Sequence, residues 1–275
     1  MGRVEKRMYR RRQKRTRLMR IIVLALLMVT AGVVVWRSLP DAFSIEKLVR
    51  QEDGSRQDLG KTETREVTLG EETWYAIQTG VFSTEEAARQ KADTYRERGA
   101  PGTVIREGEK WRVFIACYPT EAEASSVRTR LEQNQRVDTY LYAWKCPELR
   151  LRMTGKTGQL DAVEAGFTLL LSVAAAMRDT ATELDAAQLT TQEAAEAVRS
   201  LDDQITLWEQ TLRGQFGRSL PEIAQDLLAI SANWDERCAE ILSAEGATAL
   251  SASLKAHGMG MYDEIAAWRR AFAAK

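Results

Sequence analysis

The chain has 275 residues, of which 44% are apolar and 28% charged, a balance that excludes a wholly disordered polypeptide and leaves room for one to three domains. Its formal net charge of zero hides a division: residues 1–20 carry ten Lys or Arg against one acid, Glu5, which leaves 29 basic and 38 acidic residues downstream. Cys117, Cys146, Cys238 and the single His257 are too few and too scattered for a disulfide framework or a structural zinc site, so no metal and no cofactor is expected.

The basic head comes first. Ile21 to Trp36 follows as an uncharged run of sixteen residues, roughly 24 Å as a helix, which Leu18 and Met19 extend when Arg20 snorkels to the interface. The alternative is a cleaved secretory signal, but only Thr30-Ala31-Gly32 approaches a small-x-small site, and apolar residues continue beyond it. Residues 21–37 therefore read as an uncleaved transmembrane anchor. Residues 1–20 then form a basic cytoplasmic segment by the positive-inside rule, and everything after the anchor lies outside the cell.

Residues 38–72 alternate in charge, contain Gly54, Gly60 and Gly70, and show no sustained apolar period apart from a candidate short helix around Phe43 to Val49. They read as an exposed tether with a flexible reach of about 30 to 35 Å. A compact pattern follows over residues 73–147. Strand 74–82 leads to a helix from the Ser83-Thr84-Glu85-Glu86 capping box to Gly99, then to strand 103–107 and strand 110–118. A helix from the Thr120-Glu121-Ala122-Glu123 box to about Gln135 and strand 137–145 complete it. The order is βαββαβ, a ferredoxin-like sheet with two helices on one face and the other face open.

From Gly158 the periodicity becomes purely helical, with Phe167, Leu170, Ala174, Met177, Ala181 and Leu184 at spacings of three and four. Capping boxes at Thr190–Glu193 and Ser219–Glu222 begin further helices, and a last stripe from Leu250 to Phe272 runs to the C-terminus. Residues 156–275 thus read as an antiparallel bundle of three or four helices. The fold class is α+β: a single N-terminal transmembrane helix, a βαββαβ domain and a C-terminal all-α bundle.

Gln78-Thr79-Gly80-Val81-Phe82 and Trp111-Arg112-Val113-Phe114-Ile115, together with the βαββαβ order, resemble a SPOR domain, the sporulation-related module of bacterial division and sporulation proteins. The resemblance covers about seventy residues. It implies binding of peptidoglycan glycan strands stripped of their stem peptides, at septa where amidases have acted, through the open face of the sheet. The family's glutamine on the first strand and arginine on the third map onto Gln78 and Arg112. The chain departs from the family pattern at Val81, at Ala116-Cys117 and at Lys110, where many members have a small residue, Gly-Pro and an aromatic.

Strand alternation points the same way. Placing Ile77 and Thr79 toward the helices sends Ala76, Gln78 and Gly80 to the open face, with Lys110, Arg112 and Phe114 from the next long strand and Tyr140, Tyr142 and Trp144 from the last. Exposed aromatics in that number mark a contact surface, and stacking of pyranose rings with hydrogen bonds from Gln78 and Arg112 is a sufficient chemistry. The expected glycan site is thus Gln78, Lys110, Arg112, Phe114, Tyr140, Tyr142 and Trp144. The alternative is that the bundle packs on this face and buries the aromatics as interdomain core. An RNA platform of the same strand order is set aside because the 110–118 strand lacks the Gly-aromatic-Gly core of that motif.

The sequence holds no catalytic motif, and its acidic pairs sit at helix starts or on solvated faces, so no enzyme activity is expected. The reading is a single-pass protein of the cell membrane of a Gram-positive-like bacterium, with its N-terminus cytoplasmic and its C-terminus extracytoplasmic. It binds peptidoglycan at division or sporulation septa and no nucleic acid. The bundle is a module for homodimerisation or for docking a cell-wall protein. The alternative function is a scaffold whose bundle dimerises or recruits a cell-wall enzyme, with the sheet buried or only weakly glycan-binding.

Overall fold

The computed structural model describes residues 61–135 and 137–274. The basic head, the expected anchor at 21–37 and the tether as far as residue 60 lie outside the described residues. The elements run β1 (Thr62–Leu69), β2 (Glu72–Phe82), α1 (Glu85–Arg96), β3 (Thr103–Glu107), β4 (Lys110–Tyr118), α2 (Glu121–Gln135), β5 (Tyr140–Cys146) and β6 (Leu149–Lys156). The helices α3 (Thr157–Asp185), α4 (Thr191–Phe216), α5 (Glu222–Ser231), α6 (Trp234–Ser243) and α7 (Gly246–Ala273) follow.

Strands β2 to β5 and the helices between them form the expected βαββαβ unit, with strand order β3-β4-β2-β5 and every pairing antiparallel. Gly108, at φ +60°, turns the β3–β4 hairpin in the two-residue space between Glu107 and Lys110, a conformation that costs glycine little. Helices α1 and α2 cover one face, where Ile77, Ala88, Ala92, Val113, Ile115, Ala124 and Val137 form the core. The cap of α1 is Thr84 rather than Ser83, its hydroxyl accepting from the Ala87 amide at 3.3 Å. Thr120 caps α2 as expected.

Two expectations are corrected at the edges of this unit. Residues 62–69, expected as tether, are strand β1, paired antiparallel with β6 from Thr62↔Lys156 to Leu69↔Leu149. The reason is an alternation that neither strand shows alone: Arg65, Val67 and Leu69 turn inward opposite Met153, Leu151 and Leu149. Arg65 pins the ribbon to α3 by bonding Asp161 at 2.6 Å and Glu164 at 3.2 Å.

The bundle has five helices where three or four were expected. The N-cap of α5 is Pro221 rather than Ser219, and residues 222–243 fold as two short helices instead of one long one. Thr190 and Glu193 do form a reciprocal capping box, with both bonds in place. Helix α3 is the central element, flanked by α4 and α7. It is long and apolar enough to cross a membrane by length and composition, but its apolar face is core: Leu169, Leu170, Val173, Ala174 and Met177 are all buried. Gly166 lets the Trp208 ring pack against α3, since a Cβ there would stand 2.5 Å from Cζ2, and the indole donates to the Ala162 carbonyl at 2.9 Å.

Candidate functional site

The second face of the sheet is shaped by two irregularities in the β2–β4 ladder. Gln78 pairs with Phe114 but Gly80 with Val113 and Val81 with Arg112, so Thr79 is an extra residue; Ile77 pairs with Ala116, which makes Ile115 another. Each extra residue inverts the alternation beyond it. The face opposite α1 and α2 therefore carries Trp74, Ala76, Gln78 and Val81 from β2, and Arg112, Phe114 and Cys117 from β4. Strand β5 adds Tyr140, Tyr142 and Trp144, opposite Gln78, Ala76 and Trp74. Gly80, expected on this face by simple alternation, is replaced by Val81.

This face is not open. Helix α7 lies across it. The Tyr262 ring stacks on Trp74 with centroids 4.0 Å apart, meets Trp144 edge-on at 5.2 Å, and its hydroxyl donates to the carbonyls of Glu72 and Trp144, both at 3.0 Å. Arg178 of α3 places its guanidinium 4.5 Å from the Trp74 centroid, and Arg269 of α7 donates to the carbonyls of Gly70 and Pro147. The expectation of a fully exposed aromatic platform is thereby corrected. Phe114, at 1% exposure, and Trp144, at 4%, are interior residues that stack on each other at 5.2 Å. The physical reason is that α7 brings an apolar face of its own, with Met259, Tyr262 and Ala266 all buried, and the sheet aromatics are the surface that covers it.

The rest of the expected site stays together at the other end of the sheet. Tyr140, at 62% exposure, and Lys110 are exposed, while Arg112 and Tyr142 are half-buried. Gln78 is buried beneath them, its Oε1 accepting from Arg112 Nη1 at 2.7 Å. Arg112 Nε donates to Glu107 Oε2 at 2.6 Å, and its guanidinium stands 4.5 Å from the Tyr142 ring centroid. The Tyr142 hydroxyl donates to the other Glu107 oxygen. Burial, with the hydrogen bond to Glu107 and its charge, pushes the Tyr142 phenol up to about 12. Burial alone would raise the Glu107 carboxyl, but the bonds from Tyr142 and Arg112 outweigh it and hold the group below its usual range.

Glu107 is the member that sequence reasoning missed. It sits at the tip of a hairpin, where an acid is ordinarily a solvated turn residue, and only the β4 register brings Arg112 back to it. The resulting surface presents a cation, a carboxylate and two phenols over the buried Gln78 amide, a set suited to hydroxyl and acetamido groups on a ring stacked against tyrosine.

Residues 71–142 match the family model of the SPOR domain. The protein contains a SPOR domain. No curated protein and no solved structure matches the chain. SPOR domains are peptidoglycan-binding modules linked to septal function, and they bind rather than catalyse. Gln78, Arg112, Tyr140 and Tyr142 lie within the matched residues; Trp144 and the covering helix α7 lie beyond them.

Asp263 lies in α7, and its environment includes the network at the uncovered end. Burial pushes its carboxyl up to about 6; the charges of Glu264 and Glu107 act in the same direction and Arg270 opposes them. A folded-state value above the unfolded one means that the folded protein holds the proton more tightly. The contribution of Asp263 is therefore full below about pH 4 and is lost as pH rises through about 6. Asp263→Asn should gain stability relative to the parent across that window, read as the difference in melting temperature at pH 4 and pH 7.

Proposed function

We propose that this is a membrane-anchored, extracytoplasmic protein that binds denuded peptidoglycan glycan at division or sporulation septa, through the uncovered end of its SPOR sheet. The observation that carries the reading is the bonded cluster of Gln78, Arg112 and Tyr142 with Tyr140 exposed on the same face, all within the residues matched by the family. Tyr140 and Tyr142 supply ring faces for sugars, and Arg112 and Lys110 supply cations for a lactyl carboxylate. In this reading the anchor is residues 21–37, and its length and basic flank support an extracytoplasmic position for the remainder.

Co-sedimentation of the full chain with amidase-treated peptidoglycan tests this reading. Tyr140→Ala and Lys110→Ala should each weaken binding by about five- to tenfold, equivalent to about 1 kcal/mol, because each removes one contact. Both should leave thermal stability within roughly 0.5 kcal/mol of the parent, since the side chains are exposed. Full retention of binding in the double variant would sink the proposal. The anchor is tested separately: the full chain should remain in the membrane fraction with its C-terminus open to external protease, and recovery of a soluble form beginning near Val33 would reverse it.

A second reading is favoured by the burial of Phe114 and Trp144 under α7. In it the protein is a scaffold, the SPOR sheet is largely an internal surface that binds glycan weakly, and the helices recruit a cell-wall enzyme or pair with a second copy. Binding below detection in the parent chain, with the fold intact, would select this reading.

A further inference from the structure

The β1–β6 ribbon lies outside the four-stranded sheet, and it leaves β6 with one neighbour only. Apart from Lys156, which also caps α3 and whose amide donates to Gln159 Oε1, no described β6 residue pairs with any strand other than β1. The free edge of β6 borders a groove of about 540 Å³ that is lined by six successive β6 residues, Arg150 to Gly155, and by no residue of β1. Its opposite wall is the end of α4 and the start of α5, including Phe216, Leu220 and Ile223. A strand edge with no second neighbour over the six residues Arg150 to Gly155 is a template for another extended chain.

The charge of the groove selects among such chains. Of the described residues that line it, two are cationic, Arg150 and Arg152, and none is acidic. Arg150 is bonded to Glu148 at 2.7 Å, whereas Arg152 is exposed and stands across the ribbon from Glu66. The start of α5, behind Pro221 with no side-chain cap, adds its positive end to the same wall, offset in part by Glu222 in the first turn of that helix. Pairing of β6 with β6 of a second copy around the Arg150–Arg152 stretch would set like charges opposite each other, which is destabilising.

We propose that the β6 edge is a docking site for an extended acidic peptide segment of a partner protein, added as a third strand to the β1–β6 ribbon. Carboxylates at alternate positions of that segment meet Arg150 and Arg152, and the apolar residues between them enter the groove against Phe216, Leu220 and Ile223. Main-chain bonds give the affinity and the two arginines give the sign preference. This surface is separate from the glycan site, so the loss of one leaves the other to be measured.

The test uses the full chain and three end-capped, fluorescently labelled octapeptides: alternating Glu and Val, alternating Lys and Val, and the Glu-Val peptide with every backbone amide methylated. Anisotropy titrations should show saturable binding of one Glu-Val peptide per chain, at least tenfold tighter than either of the others. The Arg150→Glu/Arg152→Glu chain, checked for an unchanged melting temperature, should prefer the Lys-Val peptide. Equal binding of the Glu-Val and methylated peptides by the parent chain would overturn strand addition whether or not the variant folds. Failure of the Glu-Val peptide to bind, or binding indifferent to the two arginines, would also overturn the proposal. Concentration-dependent dimerisation of the parent that this double variant abolishes would assign the edge to a second copy instead.

Discussion

Replacing Tyr262 with alanine should cost about 3 to 5 kcal/mol, the loss associated with truncating a fully buried large aromatic. Its ring stacks on Trp74 at 4.0 Å, its hydroxyl satisfies two backbone carbonyls, and no part of it reaches solvent. For a chain of this size that loss lowers the melting temperature by roughly 6 to 20 °C. Tyr262→Phe keeps the ring and drops only the hydroxyl, so about 1 kcal/mol is expected. Because the ring joins α7 to the sheet, both halves should still unfold in one transition in the parent chain. A parent melt with two separate steps, or an alanine variant that destabilises the helices while leaving the sheet unchanged, would show that the contact does not couple them.

The second large effect separates the covered from the uncovered part of the SPOR face. Phe114→Ala and Trp144→Ala should each lose about 3 to 5 kcal/mol, because both rings are enclosed between the sheet and α7. Tyr140→Ala, on the same face, should lose roughly 0.5 kcal/mol or less. Denaturant midpoints measured on the three variants with a common slope decide the matter. Near-equal stability across all three would mean that α7 leaves the sheet in solution and that the aromatic platform is open there. Removal of α7 altogether should expose Trp74, Phe114 and Trp144 as one apolar patch, with aggregation as the consequence.

Much of the βαββαβ unit was legible because its signals are local. Alternation over 74–82 and 110–118 and the Thr120 cap each act within a few residues, and together they set the order of the strands and helices. The α3, α4 and α7 stripes were legible for the same reason. The ribbon was missed because Leu149-Arg150-Leu151-Arg152-Met153 has strict period two but follows directly on β5, while β1 on its own reads as a charged tether. Neither is stable without the other, and they are paired across eighty residues or more. The bulges at Thr79 and Ile115 were equally invisible: nothing in either strand signals an extra residue, yet each changes which side chains share a face.

Local sequence signals specify the SPOR unit, the helical nature of the C-terminal half and the sharing of one sheet face by Gln78, Arg112 and Tyr142, but not the part of Glu107. Which of those residues meet solvent depends on contacts between segments far apart in the chain. The hydrogen bond from Tyr262 to Glu72 spans 190 positions, and the choice between an open platform and a buried seam rests on such contacts. An apolar strand face and an apolar helix face carry the same periodic signal whether they meet each other, a partner or a ligand. The hydrophobic effect is non-directional, so the pattern states that a surface will be covered and leaves its cover to the packing of the whole chain.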